Sequence, residues 1–584
     1  ADSDRDAAGA IAIANGTSMC TKWSGTACAT TGGADVTLAG AEADTNFPFR
    51  PAGWASGSGI TNPNGHLGAT SSGAIPLSGV SIGYTASSSA VQKIFTAGGN
   101  LLVRGQTTDG AVAASQNSMG IISTGAAGVT DFNVGAGKIK LDAKARCSSV
   151  TSGSQCAAIE LNAWGSSTPS YTRLTTTNTA ADSIWISAVS GSTAHKGFSN
   201  IHGSTFVTPG GMQIIASKIT DDSKFAFNVS GDLSITSPGT GFDAPVNVDT
   251  DWTFGTTPAS LLIGNAGTSG ANQNSADFSC SIALAATNFI KIYGGNMNFS
   301  AGNMTTSASG APILIKATGY ILSGNGASVA SPKLFQTLNA PITLWADADN
   351  LNAGHIFIGN YNKFASRGGR ITIAGGLDDG AANSGISAAV VRTAGDGFPD
   401  GYAIAEASGN TVQTSGLWLG LKTELASSNG DIVVAGRGSQ SASAVSAEKG
   451  LWTDTITVNS GTGKIGMFGK ATSTAFGFSY AWYVIGGTAG ADGAVITSAS
   501  TQPDAITILG DASATTGTSS AGILTFSGKN GTTETGVKIA ATGVGGGVTM
   551  VAKVSAPFTD CAAPVSNRAC CRLRSGRFID KGDM

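Results

Sequence analysis

Between residues 339 and 376 the chain writes one short phrase three times: Ile342-Thr-Leu344, Ile356-Phe-Ile358 and Ile371-Thr-Ile373. Each phrase is an apolar pair flanking a residue that points the other way. That is the period-two pattern of a strand with one face on a core. The phrases recur roughly every 15 residues, and Gly, Asn, Asp and Ser fill the gaps. A helix fits poorly, because the large apolar positions do not hold three- and four-residue spacing. Short strands on a near-regular beat, cornered by small residues, predict a chain that coils and stacks strand upon strand.

A fuller rung recurs outside this stretch. It reads Gly, small residue, Asn/Asp/Lys/Arg, apolar, any, apolar, any, Ala/Gly. It appears at Gly98–Gly105, Gly294–Ala301 and Gly368–Gly375, more loosely at Gly231–Ser237 and Gly430–Gly436. Residues Gly135–Lys144 and Gly461–Lys470 match each other over ten positions. In each rung the glycines turn the corner, where positive φ or a close backbone is needed. The apolar pair points inward and the residue between them outward.

Composition agrees with a coil of tight turns. Of 584 residues 83 are glycine, only 12% are charged and 41% are apolar, so the chain is neither a disordered polymer nor rich in long surface side chains. A formal charge of −3 without a basic stripe gives no reason to expect nucleic acid as a partner. No apolar run reaches the ~18 residues of a membrane-spanning helix, so no membrane span is expected. The chain begins Ala1-Asp-Ser-Asp without an initiator Met, which is expected of a mature, exported chain. Of the eight cysteines, Cys20 with Cys28 and Cys147 with Cys156 are spaced as local disulfides of an oxidising compartment. Cys561, Cys570 and Cys571 are further disulfide candidates whose pairing the spacing leaves open, and Cys280 stands alone.

The expected fold is therefore all-β: a single long right-handed parallel β-helix, or solenoid, with an irregular N-terminal cap and a short C-terminal tail. Residues 1–80 read as a cap or assembly segment. Its run Ala7–Ala14 reads as a short strand, favoured over a weak helix by its Ile/Ala alternation, that either pairs with a neighbouring subunit or covers the first coil. Residues 81–555 read as the β-helix, with roughly 16 to 24 coils of about 20–30 residues. Residues 556–584 form a Cys- and Arg-containing tail without the strand beat.

The rung, together with Ala340–Asp349, Gly376–Gly380 and Asp396–Tyr402, resembles the repeats of filamentous-haemagglutinin-like bacterial exoproteins. The resemblance covers about residues 90–550. It implies a right-handed parallel β-helix on or outside the cell, acting as an adhesin, surface filament or secreted scaffold. The flanking pattern of the family's secretion domain is missing around Asn62-Pro-Asn-Gly65, and the double-cysteine tail departs from the family.

Candidate site residues are few. Asp396 and Asp400 lie in an Asp/Gly loop near Asp378 and Asp379, and oxygen-rich loops of this kind hold calcium, the one cofactor considered; a solvated turn is the competing reading. Trp345, Trp418 and Trp452 lie in or beside strands. Facing outward they would stack on cell-surface glycans or on a neighbour; facing a corner they would fill it. Carboxylates are sparse, the four histidines lack metal spacing, and no nucleophile elbow or phosphate loop is present. The expectation is a non-catalytic extracellular protein that self-associates into a fibre, sheath or layer. The alternatives are a secreted carbohydrate-active lyase or hydrolase, or a sugar-binding adhesin.

Overall fold

The computed structural model describes residues 11–13, 16–43, 51–53, 55–56 and most of 79–554, with two short strands at 570–571 and 578–579. Within 79–554 it leaves out 83–90, 108–110, 113–116, 124–128, 151–154, 162–170, 201–202, 221–222, 267–275, 352–353, 381–392, 407–413, 440–447, 474–477, 486–492, 516–518, 527 and 531–532. The described residues are all-β, with no helix among them. They fall into two compact units, Ala1–Gly264 and Asn265–Met584.

In the N-terminal unit three parallel ladders run side by side. The first joins Val36–Leu38, Leu101–Gln106, Ile139–Ala145, Ile184–Ser190, Met212–Ala216, Asp232–Thr236 and Ser260–Ile263. The second, of seven strands, runs from Ser18–Cys20 through Phe225–Val229 to Trp252–Phe254. The third joins Ile11–Ile13, Val80–Ile82, Asn117–Ser123, Gln155–Leu161 and Lys196–Ser199. As far as Met212–Ala216, the strands of these ladders follow the order third, second, first, so those coils have three sides; the last two coils place strands only on the second and first. The strands at 11–13, 18–20 and 36–38 already occupy all three ladders. The run containing Ile11–Ile13 pairs with Val80–Ile82 of its own chain.

The C-terminal unit repeats the scheme. A fourth ladder runs from Phe289–Gly294 through Ile342–Ala346 and Ile371–Gly375 to Val548–Val554. A fifth runs from Phe278–Cys280 through Ser415–Leu419 and Glu448–Thr453 to Ser519–Phe526. The sixth has eight strands, from Leu284–Ala286 to Lys538–Ala541. Two antiparallel strands end the unit: Cys570–Cys571 on Thr525 and Phe526, and Phe578–Ile579 on Thr549 and Met550. The coils are unequal in length. Equivalent corner residues Thr337 and Ser366 are 29 residues apart, but Ser366 and Ser427 are 61 apart.

The core is stacked, not merely clustered. Ile290, Ile313, Ile342, Ile371, Ile432, Ile465 and Ile506 lie in register down the fourth ladder, all fully buried. Leu101, Ile139, Ile184, Met212, Leu233 and Leu261 do the same in the first. Phe206, Phe227 and Phe254 stack in the second, with ring centroids 5.5 Å apart at both steps. Each such side chain contributes about 1.5–3 kcal/mol by leaving water.

The corner before the fourth ladder explains the rung. Arg367 and Gly368 take positive φ (50° and 123°), and Ser428 and Asn429 repeat the pair at 57° and 125°. The second glycine of the rung answers a different need: a Cβ on Gly369 would lie 2.0 Å from the Ala340 carbonyl, and one on Gly430 2.0 Å from that of Gly369. Inside this corner buried hydroxyls join coil to coil. Thr337, Ser366, Ser427 and Ser460 each donate to the carbonyl three residues on (Ala340, Gly369, Gly430, Gly463). The first three also reach the next coil, at Ser366, Ser427 and Ser460 carbonyls.

A second staple uses the polar residue of the rung. Asp35 Oδ1 accepts the Asn100 amide (2.8 Å), and Asn100 Oδ1 accepts the Lys138 amide (2.9 Å). Asn325, Asn360 and Asp431 likewise accept the amides of Asn360, Leu421 and Lys464. The Asn or Asp after the glycines is thus a coil-to-coil acceptor and not simply a solvated residue.

Replacing Gly430 by Ala is expected to destabilise by more than about 2 kcal/mol, and Ser427→Ala by about 1–2 kcal/mol. Exposed Thr457→Ala should fall within about 0.5 kcal/mol of the parent. Thermal unfolding of the three variants checks this; a Gly430→Ala protein as stable as the parent would contradict the close corner.

Candidate functional site

The middle strands of the fourth ladder, Ile342–Ala346, Ile371–Gly375, Ile432–Arg437, Ile465–Lys470 and Ile506–Ala512, are buried on both faces, which alternation alone does not foretell. Outward positions Thr343, Trp345, Thr372, Ala374, Val433, Ala435, Phe468 and Leu509 are all buried. The chain leaves this ladder at Gly375 and returns so that Ala403–Ile404 pairs in parallel with Gly436 and Arg437. Gly375–Gly401 and Gly354–Ile404 are antiparallel bridges on the way. Tyr402 and Ile404 thereby pack on Ala374, Val433, Ala435, Phe468 and Leu509, a second apolar layer outside the coil.

This excursion corrects one expectation. Trp345 is 4% exposed, and its indole N–H donates to the Gly376 carbonyl at 2.6 Å. The Lys316 ammonium lies 3.6 Å from its ring. Trp345 is an anchor for the excursion and offers no face for a sugar.

The Asp/Gly loop lies in the same excursion. Asp378 accepts the amides of Gly395, Asp396 and Gly397. Asp396 Oδ1 accepts the Phe398 amide at 3.0 Å, and its Oδ2 lies 3.6 Å from Arg370 Nη1. The Arg370 guanidinium also covers the Phe398 ring at 4.2 Å. Buried Asp400 accepts the Gly380 amide at 2.7 Å. Among the described residues no group of three or more His, Cys, Asp and Glu is placed to hold a metal ion. Calcium takes about six to eight oxygens. Asp396 and Asp400 tie the loop to its own amides and to Arg370.

Trp418 and Trp452 do face outward, partly exposed, between buried Leu417 and Leu419 and between buried Leu451 and Thr453. Register places Phe357, Trp418, Trp452 and Tyr483 one above another down the fifth ladder. Their centroids are 3.8, 5.2 and 6.0 Å apart, with interplanar angles of 68°, 32° and 85°. Two indoles 5.2 Å apart are too close to lie side by side in one plane. They lean on each other and show edges, a spine along the coil and not a flat sugar platform. Lys449 Nζ lies over Trp452 (4.1 Å) and Tyr483 (5.4 Å). Burial pulls the Lys449 pKa down to about 8, against the pull of Asp454. Burial raises the Asp454 carboxyl, while the Trp418 and Trp452 indoles draw it back down. Neither indole N–H makes a hydrogen bond of normal geometry.

Beside the spine, Glu448 is fully buried. It accepts the amides of Thr472 (2.7 Å) and Ser473 (2.9 Å), but burial outweighs them and lifts its pKa to about 7. Buried His355 is pushed down to about 4 by desolvation. No hydrophobic periodicity marks Glu448, Lys449, Asp454 or Tyr483; Phe357 is visible in the sequence as the middle residue of Ile356-Phe-Ile358.

Both local disulfides are present, with Cα atoms 5.4 Å apart for Cys20–Cys28 and 6.4 Å for Cys147–Cys156. Cys280 is free and buried. Cys570 and Cys571 lie on the short antiparallel strand, and Cys561 lies outside the described residues. No described helix is long and apolar enough to cross a membrane. No family model, curated protein or solved structure matches the chain.

Two outcomes follow. The folded state favours protonated Glu448, so that contribution is complete below the ordinary value near 4.5 and is lost as pH rises through about 7. His355 acts oppositely, losing stability as pH falls from the ordinary value near 6.5 towards 4. Glu448→Gln should therefore flatten the melting-temperature fall between pH 5 and 7.5, a term of up to about 3 kcal/mol; an unchanged slope would contradict it. Trp418→Ala should cost about 1–3 kcal/mol of stability. Unaltered melting would remove the spine's structural role.

Proposed function

We propose that the chain is a non-catalytic structural β-solenoid: a single right-handed parallel β-helix, exported to the cell surface or beyond, that self-associates into a fibre, sheath or layer. One observation carries this reading. The buried polar groups of the coil corners bind coil to coil, through Thr337, Ser366, Ser427 and Ser460, and so serve stiffness along the stack. The right hand follows from the general preference of parallel strand crossovers. The two disulfides support an oxidising compartment. Repeated backbone edges suit end-to-end or side-to-side association.

Negative-stain images and sedimentation of the purified full chain test the proposal. Elongated particles that associate with rising concentration are expected. Dispersed short particles that never associate would overturn it.

A further inference from the structure

The scaffold reading makes no use of the most exposed described tryptophan. Trp23 is 59% exposed and lies in the loop that Cys20–Cys28 closes. The loop is a small hairpin. Trp23 and Cys28 form an antiparallel bridge, and the Ala29 amide donates to the Lys22 carbonyl at 2.9 Å. The Ser24 amide and hydroxyl both donate to the Ala27 carbonyl at 2.8 Å. Gly25, at φ +93°, makes the tip. The stem is fixed to the next coil, where the Thr21 amide donates to Phe95 (3.0 Å) and its hydroxyl to Thr96 (2.6 Å).

None of residues 21–32 is buried. A cross-link here protects no core, so its effect falls on how the loop is presented. It holds one indole in water on a backbone that has already lost its freedom, which removes much of the entropic cost of binding.

We propose that this clamped hairpin is a carbohydrate-binding site, in which the Trp23 indole stacks on the C–H face of a pyranose ring. The surroundings select the class. Residues 22–27 are Lys, Trp, Ser, Gly, Thr and Ala, all exposed. They offer a single apolar plane in a loop that also carries the Ser24 and Thr26 hydroxyls, while the Lys22 ammonium lies against Gly32. A sugar ring has the matching character, one apolar face rimmed by hydroxyls. A bilayer or an apolar protein groove would call for further large apolar side chains beside the indole, and the loop supplies only Ala27. The site goes beyond the scaffold reading and fails separately from it, because particle shape tests one and sugar binding the other.

The test uses the full oxidised chain, titrated calorimetrically with hexamers of β-1,4-glucose and β-1,4-N-acetylglucosamine and with a hexuronate-containing oligomer. At least one should bind. Trp23→Ala should weaken binding by about tenfold or more, the scale of one aromatic stacking contact, while Trp23→Tyr retains most of it. Trp418→Ala should bind like the parent. The double variant Cys20→Ser/Cys28→Ser, if its circular dichroism matches the parent's, should bind more weakly through lost pre-organisation. Absence of binding to all three sugars, or equal binding by Trp23→Ala, would overturn the proposal. So would Trp23-dependent binding to phosphatidylcholine vesicles, or Trp23-dependent self-association, without sugar binding.

Discussion

Everything in this protein depends on how closely one coil lies on the next at the corner before the fourth ladder. There the backbone of Gly430 passes so near the Gly369 carbonyl that no side chain fits between them. That approach allows a buried Ser or Thr hydroxyl to reach its own turn and the following coil together, and Asp431 outside to take the Lys464 amide of the next coil. With the corner fixed, the apolar pairs fall into register and the isoleucine stacks form. The polar network and the hydrophobic core are consequences of one spacing.

Outside the coil the same register is put to different uses. Down the fifth ladder it lines up Phe357, Trp418, Trp452 and Tyr483 into a leaning spine, with Lys449 stacked on it. On the fourth ladder an excursion lays Tyr402 and Ile404 over outward-facing Val433, Ala435 and Phe468. A coil that can insert a long loop without losing register can carry extra layers and clamped hairpins on a constant frame. Half-buried Arg370 and buried Asp400 and Glu448 sit where a loop or strand end meets the frame.

How much of this is legible in the sequence depends on whether a residue answers to a local rule. The Gly-Gly-Asn/Asp/Arg rung is local. It marks strands such as Leu101–Gln106, Ile371–Gly375 and Ile432–Arg437, because the corner needs positive φ and a bare backbone at set positions. Strands such as Tyr171–Thr175 and Phe478–Ile485 lack that signal in the sequence. The eight- and nine-residue cysteine spacings are equally local, and both disulfides form.

By itself the sequence determined that the chain is all-β, that it advances by short strands with glycine-led corners, and which two cysteine pairs close small loops. Only the tertiary structure decided which tryptophans are available. Trp345 and Trp418 occupy the same kind of position, next to an inward aliphatic residue. One is roofed by a loop whose contact lies 31 residues away at Gly376, while the other leans on Trp452 of the next coil. Alternation reports which side of a strand a residue takes. It carries no information about what distant segment will lie over that side, because that depends on where an excursion returns to the stack.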